Sequence, residues 1–508
     1  MYYFDCLYGK MVFKKRITDC MLSPEMQRLR EVRLGNINSL CITGSANINR
    51  FEHSVGTAYL AMVNIEANKR NFPSDLKDCF VLAALFHDLA NGPFGHSYEY
   101  IVERQGFNPE KSIGDVIFRK KQGSHKSTDT CESFYLGLTN ELSSILRKEE
   151  TKEIDRIVKG ENEQCSKILN SEIDIDNIDN VYRMAFHMGI DINKKAPIEL
   201  AKGIVCRNGE IFFKNDVIPY LYDWYETRRK VYKLLLYNPQ DFAAKCMLAE
   251  VMDYALESDS SRIEWQFTDD ELIRTFLNMK EEIWDDAAFV VVKSDLDFDE
   301  NEFVNEASLR SILGSVGFDI PNNAKVVIES SEGKVFFRYY NTEFMYEHGI
   351  LYKKTRKVLL NPAKLTSRLM RGDLYSCIGI FVTKDVDWYN RFLNREDRFR
   401  LEAECNSFVE KEMNSKEFSV CFHAILDKNK TNRQLDINLL SGECLLIGQP
   451  THDLIIGAFL KNTKFGLAQG GISDEKRKKL EHVIWDFLTI KDIECFSKKL
   501  YEEVDEIE

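Results

Sequence analysis

The sequence predicts a mainly α protein, with a helical core followed by a smaller α+β C-terminal region. Residues 1 to about 285 are mostly helical in periodicity, after a short hairpin whose turn includes Tyr8, Gly9 and Lys10. From about residue 287 the chain changes to runs of β-branched and aromatic residues, which are typical of strands. A third region begins near residue 400. We therefore expect a core at residues 1–285, an α+β lobe at 286–400 and an additional α+β region at 401–508.

The strands expected in the two later regions are short and apolar. In the lobe they are Ala288–Val292, Lys325–Ile328 and Lys334–Tyr340. In the last region a helix comes first, strands follow at Phe418–Leu426 and Leu454–Leu460, and a helix closes it at about Asp474–Leu488. The sequence alone assigns no role to residues 401–508.

Length and composition indicate a globular protein. The chain has 508 residues, long enough for two to four domains with full cores. No apolar stretch approaches the length of a membrane span, and the N-terminus lacks the features of a secretory signal, so we expect a cytoplasmic location. The 13 cysteines include no CxxC pair, so we expect reduced and mostly buried thiols.

The net charge of −13 disfavours two classes of partner. Long nucleic acid and anionic membranes both require a wide cationic surface. A local basic pocket remains compatible with this charge, and a nucleoside triphosphate would require one.

The most informative motif is His87–Asp88, which follows the apolar run Cys79–Phe86. Such a run predicts a buried helix. A His and an Asp at its end need polar or charged partners, because burying them without partners costs free energy. A divalent cation is such a partner. With His53 upstream and Asp176 downstream, the doublet would form a mixed nitrogen and oxygen site that leaves positions for water and substrate.

These motifs, in this order, resemble the HD-domain phosphohydrolases, in the branch of the deoxynucleoside triphosphate triphosphohydrolases. The resemblance covers about residues 1–285 and is carried by Arg50–Ser54, His87–Asp88 and Ile173–Asp176, with support from Pro24–Arg30. Asn91 and Glu99 make the segment most similar to the bacterial dGTP triphosphohydrolases, although the SAM-and-HD-domain enzymes are also similar. The family implies hydrolysis of a nucleoside triphosphate to nucleoside and tripolyphosphate.

The resemblance also implies roles for individual residues. It implies that the metal ligands are His53, His87, Asp88 and Asp176, for an ion such as Mn, Mg, Fe or Co. His96 would be the acid that protonates the departing oxygen, and Glu99, three residues later, would orient it. The implied substrate contacts are Arg50, Asn91, His125, Arg229 and Tyr237, with Arg228 as the alternative if the register differs by one residue.

Substrate choice is where the sequence departs from the family. Asn180 and Met184 stand where the family usually offers a tyrosine and an aspartate to the sugar, and no glutamine lies near Leu34 and Gly35. Losing hydrogen-bonding groups weakens discrimination, so deoxy specificity is left open and a modified nucleotide is conceivable.

Some motifs have simpler interpretations, and two other functions are compatible with the sequence. The second doublet, His452–Asp453, is interpreted as a surface pair, and His187 as a packed histidine rather than a ligand. An HD phosphodiesterase acting on cyclic or short oligonucleotides is one alternative function, and a nucleotide sensor that only binds is another.

The resemblance also bears on regulation and assembly. Gln27 and Arg30 are similar to positions that receive a nucleotide effector in some relatives, but Leu22 stands where an acidic partner is expected. By the same analogy we expect a homo-oligomer. Relatives include housekeeping enzymes and antiviral defence proteins, and the sequence does not choose between these roles.

Overall fold

The structure is a computed structural model, and it describes most of the chain. The described residues are 2–35, 48–70, 72–95, 98, 113–118, 141–259, 266–279, 283–284, 288–293, 296, 305–315, 317, 320, 326–331, 334–339, 342–347, 349–355, 358–461, 472–493 and 495–497. They divide into two compact units, one formed by residues 1–278 and 366–508 and the other by residues 279–365. The expected mainly α fold class is confirmed. The two boundaries between the three domains expected from the sequence stay predictions.

The first part of the larger unit is helical. It opens with the hairpin β1 (Tyr2–Asp5) and β2 (Gly9–Val12), followed by α1 (Lys15–Met21), α2 (Pro24–Arg28), α3 (Arg50–Ala67), α4 (Lys77–Phe86), α5 (Ile113–Ile117), α6 (Leu142–Ile145), α7 (Lys148–Val158), α8 (Ser166–Leu169), α9 (Ile175–His187) and α10 (Ala196–Gly203). A second hairpin, β3 (Ile204–Arg207) and β4 (Glu210–Phe213), leads to α11 (Ile218–Tyr237), α12 (Pro239–Asp259) and α13 (Asp269–Leu277).

Helix α4 lies at the centre of the helical core. All seven residues from Phe80 to Phe86 are buried, as expected for an apolar run without a polar face. They pack in one hydrophobic cluster with residues of α3 and α9, such as Val55 and Ile178. Because α4 ends at Phe86 in this cluster, His87 and Asp88 emerge directly from the core.

The smaller unit contains mostly antiparallel β-structure in its described residues. Its elements are β5 (Ile283–Trp284), β6 (Ala288–Lys293), α14 (Glu306–Ser315), β7 (Val326–Ser331), β8 (Lys334–Tyr339), β9 (Thr342–Glu347), β10 (Ile350–Thr355) and β11 (Val358–Leu360). Five strands form a sheet in the order β6-β10-β9-β8-β7, and β5 pairs with β11. Phe337 and Phe344 stack on each other between β8 and β9, at the centre of this unit's apolar cluster.

The rest of the chain continues with α15 (Pro362–Met370), β12 (Ser376–Thr383), α16 (Trp388–Leu393), α17 (Arg395–Met413), β13 (Val420–Leu426), β14 (Leu435–Asn438), β15 (Cys444–Ile447), β16 (Leu454–Leu460), α18 (Asp474–Ile490) and β17 (Phe496–Ser497). Four strands form an antiparallel sheet in the order β13-β16-β12-β17. Both strands expected beyond residue 400 are therefore present: β13 begins two residues later than expected, at Val420, and β16 has the expected bounds. None of the described helices combines the length and the hydropathy that a membrane crossing requires.

The hairpin β14–β15 joins this last region to the helical core. Leu435, Ile437 and Ile447 belong to the same hydrophobic cluster as α4. The backbone of Leu440 donates a hydrogen bond to the carbonyl of Phe213, at the end of β4. The segment that precedes this hairpin is thereby held against the helical core, near α11.

Candidate functional site

The first candidate ligand, His53, lies in the first turn of α3. The side chain of Asn49 caps this helix by accepting a hydrogen bond from the backbone of Glu52, at 2.8 Å. This cap sets where the helix begins, and His53 then falls on the face that packs against the core, where it is 1% exposed.

The other candidate ligands lie at ends of helices. His87 follows the last residue of α4, and Asp88 lies in the next turn. Asp176 is in the first turn of α9, which Asp174 caps by accepting a hydrogen bond from the backbone of Asn177. Polar groups at helix ends can reach into a shared cavity while the apolar middle of each helix stays packed.

Three of these side chains meet at one point. His53 Nε2 lies 2.8 Å from Asp176 Oδ1, and the two histidine Nε2 atoms are 3.2 Å apart. His87 Nε2 lies 3.5 Å from the same Asp176 oxygen. Their positions permit these three side chains to hold a metal ion together.

The hydrogen bonds around the two imidazoles fit a cation at this point. His53 Nδ1 lies 2.7 Å from Asp179 Oδ1, and His87 Nδ1 lies 2.8 Å from the carbonyl of Ala84. With a proton on each Nδ1, both Nε2 atoms present lone pairs toward each other, and these repel unless a cation binds them. Carboxylate- and carbonyl-anchored histidines are the usual arrangement around protein-bound metals.

The charges in this site are strongly coupled. Burial would raise the pKa of Asp176, but the neighbouring His87 and His53 hold it well below its usual range. Burial would likewise raise the pKa of Asp179, but Arg183 and His53 lower it to about 2. Both carboxylates are therefore anions in the folded protein and can stabilise positive charge at the histidines.

Asp88 lies beside the three converging side chains. Its Oδ2 atom is 3.6 Å from His87 Nε2 and 3.9 Å from His53 Nε2. The same oxygen forms an ion pair with Arg50 Nη1 at 2.6 Å, and Oδ1 accepts a hydrogen bond from Asn91. Two residues expected to contact phosphate, Arg50 and Asn91, are thus brought together with the candidate ligands.

The loop after Asp88 is held in position by two residues that are not among the expected site residues. Arg28, which is 1% exposed, donates hydrogen bonds to the carbonyls of Leu89 and Asn91. Asp269 accepts a hydrogen bond from the backbone of Phe94, whose φ of 55° is in the left-handed region. Arg28 belongs to the segment Pro24–Arg30, which supports the family resemblance, but the sequence does not reveal these contacts, because they join segments far apart in the chain.

The remaining expected residues fall into two groups. His96, Glu99 and His125 lie outside the described residues. On α11, Arg228 is 5% exposed and Tyr237 is also buried, whereas Arg229 forms an ion pair with Glu226 and its side chain is 40% exposed. The buried arginine in this helix is therefore Arg228, the alternative in the sequence prediction.

Gly56 is required where α3 approaches α9. A Cβ atom at Gly56 would lie 2.1 Å from Asp179 Oδ2 and 2.3 Å from Arg183 Nη2. We expect Gly56→Ala to lower the free energy of unfolding by about 1–3 kcal/mol. By displacing Asp179 from His53, it should also weaken metal binding roughly 10- to 100-fold.

Chemical denaturation and metal titration would measure both effects. Gly35→Ala is the control, because the nearest atom to its added Cβ, Met184 Cε, is 4.0 Å away. An unchanged metal affinity in Gly56→Ala would contradict the role given to the contact between His53 and Asp179.

Comparison with known proteins supports the class of site that the geometry indicates. Residues 50–184 match the family model of the HD domain, a range that includes all four candidate ligands. The chain therefore contains a segment similar to HD domains.

Individual relatives are similar to about half of the chain at low identity. The chain is 21% identical over 246 residues to the uncharacterized protein YwfO of Bacillus subtilis, and the match covers 47% of this chain and 52% of that protein. It is 26% identical over 276 residues to the deoxynucleoside triphosphate triphosphohydrolase SAMHD1 of Gallus gallus, covering 49% of this chain and 45% of that protein. The match thus spans about half the length of these relatives.

The fold extends beyond the matched segment. A solved structure of a hypothetical protein from Aquifex aeolicus is similar to 95% of this chain and 99% of that chain, with a TM-score of 0.54 and 14% identity. At this identity the similarity concerns the fold alone.

Proposed function

We propose that this protein hydrolyses nucleoside or deoxynucleoside triphosphates to the nucleoside and tripolyphosphate. The observation that carries the proposal is the convergence of His53, His87 and Asp176, with Asp88 beside them, in a domain of the HD family. The relatives named as deoxynucleoside triphosphate triphosphohydrolases support the choice of substrate class.

The proposed site would hold one divalent ion by His53, His87, Asp88 and Asp176. When bound, such an ion polarises a phosphoryl oxygen and lowers the pKa of a water molecule. The nitrogen and oxygen donors suit Mn, Mg, Fe or Co. Arg50, now paired with Asp88, is close enough to the ligands to share its charge with a phosphate oxygen.

The reaction requires a proton for the oxygen that leaves. Hydrolysis breaks the bond between the α-phosphorus and the 5′ oxygen, and the departing oxygen takes up a proton to become the nucleoside hydroxyl. We assign this proton to His96, oriented by Glu99. That assignment comes from the motif, because both residues lie outside the described part of the chain.

A second group of residues supports the binding of a polyanion. We call Arg228, Lys430 and Arg433 the cationic group. Arg228 Nη1 donates a hydrogen bond to the carbonyl of Lys430 at 2.6 Å, and its guanidinium lies 4.6 Å from the centre of the Tyr232 ring. Arg433 donates to the carbonyl of Glu172, four residues before Asp176.

The electrostatics of Tyr232 connect this cationic group to the HD ligands. Burial raises the pKa of Tyr232, Asp176 acts in the same direction, and Arg228 and Arg433 act against it. Burial together with the nearby Arg433 also lowers the pKa of Arg228. Two neighbouring positive charges, here Arg228 and Arg433, favour an anion between them. The Nε atoms of both arginines are buried without a hydrogen-bond partner among the described residues.

The cationic group draws two of its members from the region that the sequence left without a role. We propose that it binds the β- and γ-phosphates, with Arg228 rather than Arg229 as the arginine of α11. Residues 427–433 would then bind phosphate together with α11.

The expected choice of nucleotide depends on the residues near the sugar, and one of them, Met184, has apolar surroundings. Met184 packs with Ile48, Val231 and Leu235 in a small apolar cluster and offers no hydrogen bond to a sugar. We therefore propose weaker discrimination between deoxy and ribo substrates than a tyrosine and an aspartate would give. A nucleotide effector, oligomerisation and a role in antiviral defence stay predictions.

Product analysis tests the proposed function directly. Purified protein would be incubated with each dNTP and NTP, singly and in pairs, with Mg, Mn or Co, and the products separated by chromatography. We expect nucleoside and tripolyphosphate. Nucleoside monophosphate or diphosphate would show another cleavage position, turnover of cyclic or short oligonucleotides alone would favour a phosphodiesterase, and binding without turnover would favour a sensor.

A further inference from the structure

A second group of metal-binding side chains lies close to the HD ligands but is separate from them. Cys6, Glu52 and His187 come from the turn after β1, the first turn of α3 and the last residue of α9. Cys6 Sγ lies 3.3 Å from Glu52 Oε1 and 3.5 Å from His187 Nε2, and the Glu52 and His187 atoms are 3.0 Å apart. Three elements distant in sequence thus bring a sulfur, an oxygen and a nitrogen together.

The size of the triangle formed by Cys6, Glu52 and His187 is close to that of a metal site. Zinc bonds of about 2.0–2.3 Å in tetrahedral geometry place ligand atoms roughly 3.3–3.6 Å apart. The HD ligands His53, His87 and Asp176 form a triangle with sides of 2.8, 3.2 and 3.5 Å. The triangle of Cys6, Glu52 and His187 has sides of 3.0, 3.3 and 3.5 Å.

The backbone around Cys6 holds the thiol in place. Asp5 Oδ1 accepts hydrogen bonds from the backbone N–H groups of Leu7 and Tyr8, at 2.8 and 3.0 Å. These bonds close the turn of the N-terminal hairpin around Cys6. The thiol is exposed, and Glu52 and His187 are partly exposed, so an ion and a water molecule can reach them.

The local charges favour an added cation. Arg183 Nη1 lies 2.9 Å from Asp5 and 2.5 Å from Glu52, and its Nε donates to Asp179 at 2.8 Å. One guanidinium therefore faces three carboxylates, and the imidazoles of His187 and His53 contact Glu52 and Asp179 as well. When both imidazoles are neutral, the carboxylates outnumber the guanidinium, and a divalent ion at Glu52 would reduce that excess of negative charge.

We propose that Cys6, Glu52 and His187 bind a zinc-class divalent ion. A thiolate, an imidazole and a carboxylate suit borderline ions such as Zn²⁺ better than Mg²⁺ or Ca²⁺. Binding breaks the S–H bond and releases the thiol proton to solvent, and water fills the fourth position. His187 then acts as a ligand, in contrast to the packed histidine expected from the sequence.

This second site would be coupled to the HD site through Arg183. The arginine contacts Glu52 on one side and Asp179 on the other, and Asp179 in turn contacts His53. The proposal does not rest on the proposed function, because it requires no turnover.

Cobalt substitution distinguishes the two sites, because only the second has a sulfur ligand. Metal-free protein would be loaded with Co²⁺, and its absorption spectrum recorded with the number of ions bound per chain. We expect a charge-transfer band from thiolate to cobalt in the native protein and in His87→Ala. The band and one bound ion should be lost in Cys6→Ser and in His187→Ala.

Cys444→Ser is the matched control, because Cys444 is also an exposed thiol, and it should keep the band. Circular dichroism would show that Cys6→Ser stays folded, as expected for a change in an exposed turn. A native protein without the band, or a Cys6→Ser protein that retains both the band and the ion count, would overturn the proposal.

Discussion

Replacing His87 by alanine is expected to remove the ion of the HD site and to lower turnover at least roughly 1,000-fold. The imidazole supplies one of the two Nε2 atoms that face each other at 3.2 Å, and Asp176 would then have only His53 as a nitrogen partner. A bound metal contributes several kcal/mol to phosphoryl transfer, and each 1.36 kcal/mol is a factor of ten in rate. Metal content and turnover would both be measured, with the thermal melting temperature as a check on folding.

The chain contains a matched control for this substitution. His452 also precedes an aspartate, but it is exposed on the surface. His452→Ala should keep both metal and activity. Full activity in His87→Ala would remove His87 from the proposed site, whereas loss of activity in both variants would indicate general damage rather than loss of a ligand.

Replacing Arg228 by alanine is expected to reduce kcat/KM roughly 10- to 100-fold and to weaken inhibition by tripolyphosphate. A hydrogen bond to a charged group contributes about 1.5–3 kcal/mol, which corresponds to this range. The effect should appear for every nucleotide base, because the contact concerns phosphate. Arg433→Ala should reduce tripolyphosphate binding in the same way, although Arg433 lies far from the HD motifs in sequence.

Arg229→Ala is the control on the same helix. Its ion pair with Glu226 is largely exposed, and such pairs contribute about 0–1 kcal/mol to stability. Arg228 also donates a hydrogen bond to the carbonyl of Lys430. The Arg228→Lys variant keeps the positive charge, so comparing it with Arg228→Ala separates the loss of phosphate binding from the loss of packing. A larger loss of tripolyphosphate binding in Arg229→Ala than in Arg228→Ala would assign the contact to Arg229 instead.

The sequence could predict three features: the buried helix before His87, the fold class and the resemblance to the family. The apolar run before His87 has no polar face, so burial on every side is favoured, and the structure shows it as a buried helix. The order of His53, His87–Asp88 and Asp176 along the chain carried the resemblance to the HD-domain family, and the comparisons confirm it.

Contacts between segments that are distant in the sequence could not be predicted from the sequence. Arg228 and Arg229 are neighbours with the same chemistry, and only packing against the carbonyl of Lys430 and the Tyr232 ring distinguishes them. Asp179 shares its helix with Asp176, but its bond to His53 depends on how α3 and α9 cross. No local pattern encodes such a crossing.

The sequence by itself determined the kind of chemistry, because apolar periodicity and the order of His and Asp residues are properties of the chain alone. The tertiary structure decided which side chains share a space. It placed Arg228 between the Tyr232 ring and the carbonyl of Lys430, and it brought Cys6, Glu52 and His187 within 3.5 Å of one another. Such groupings depend on how the helices pack against one another, and this packing is a property of the folded core rather than of any local segment.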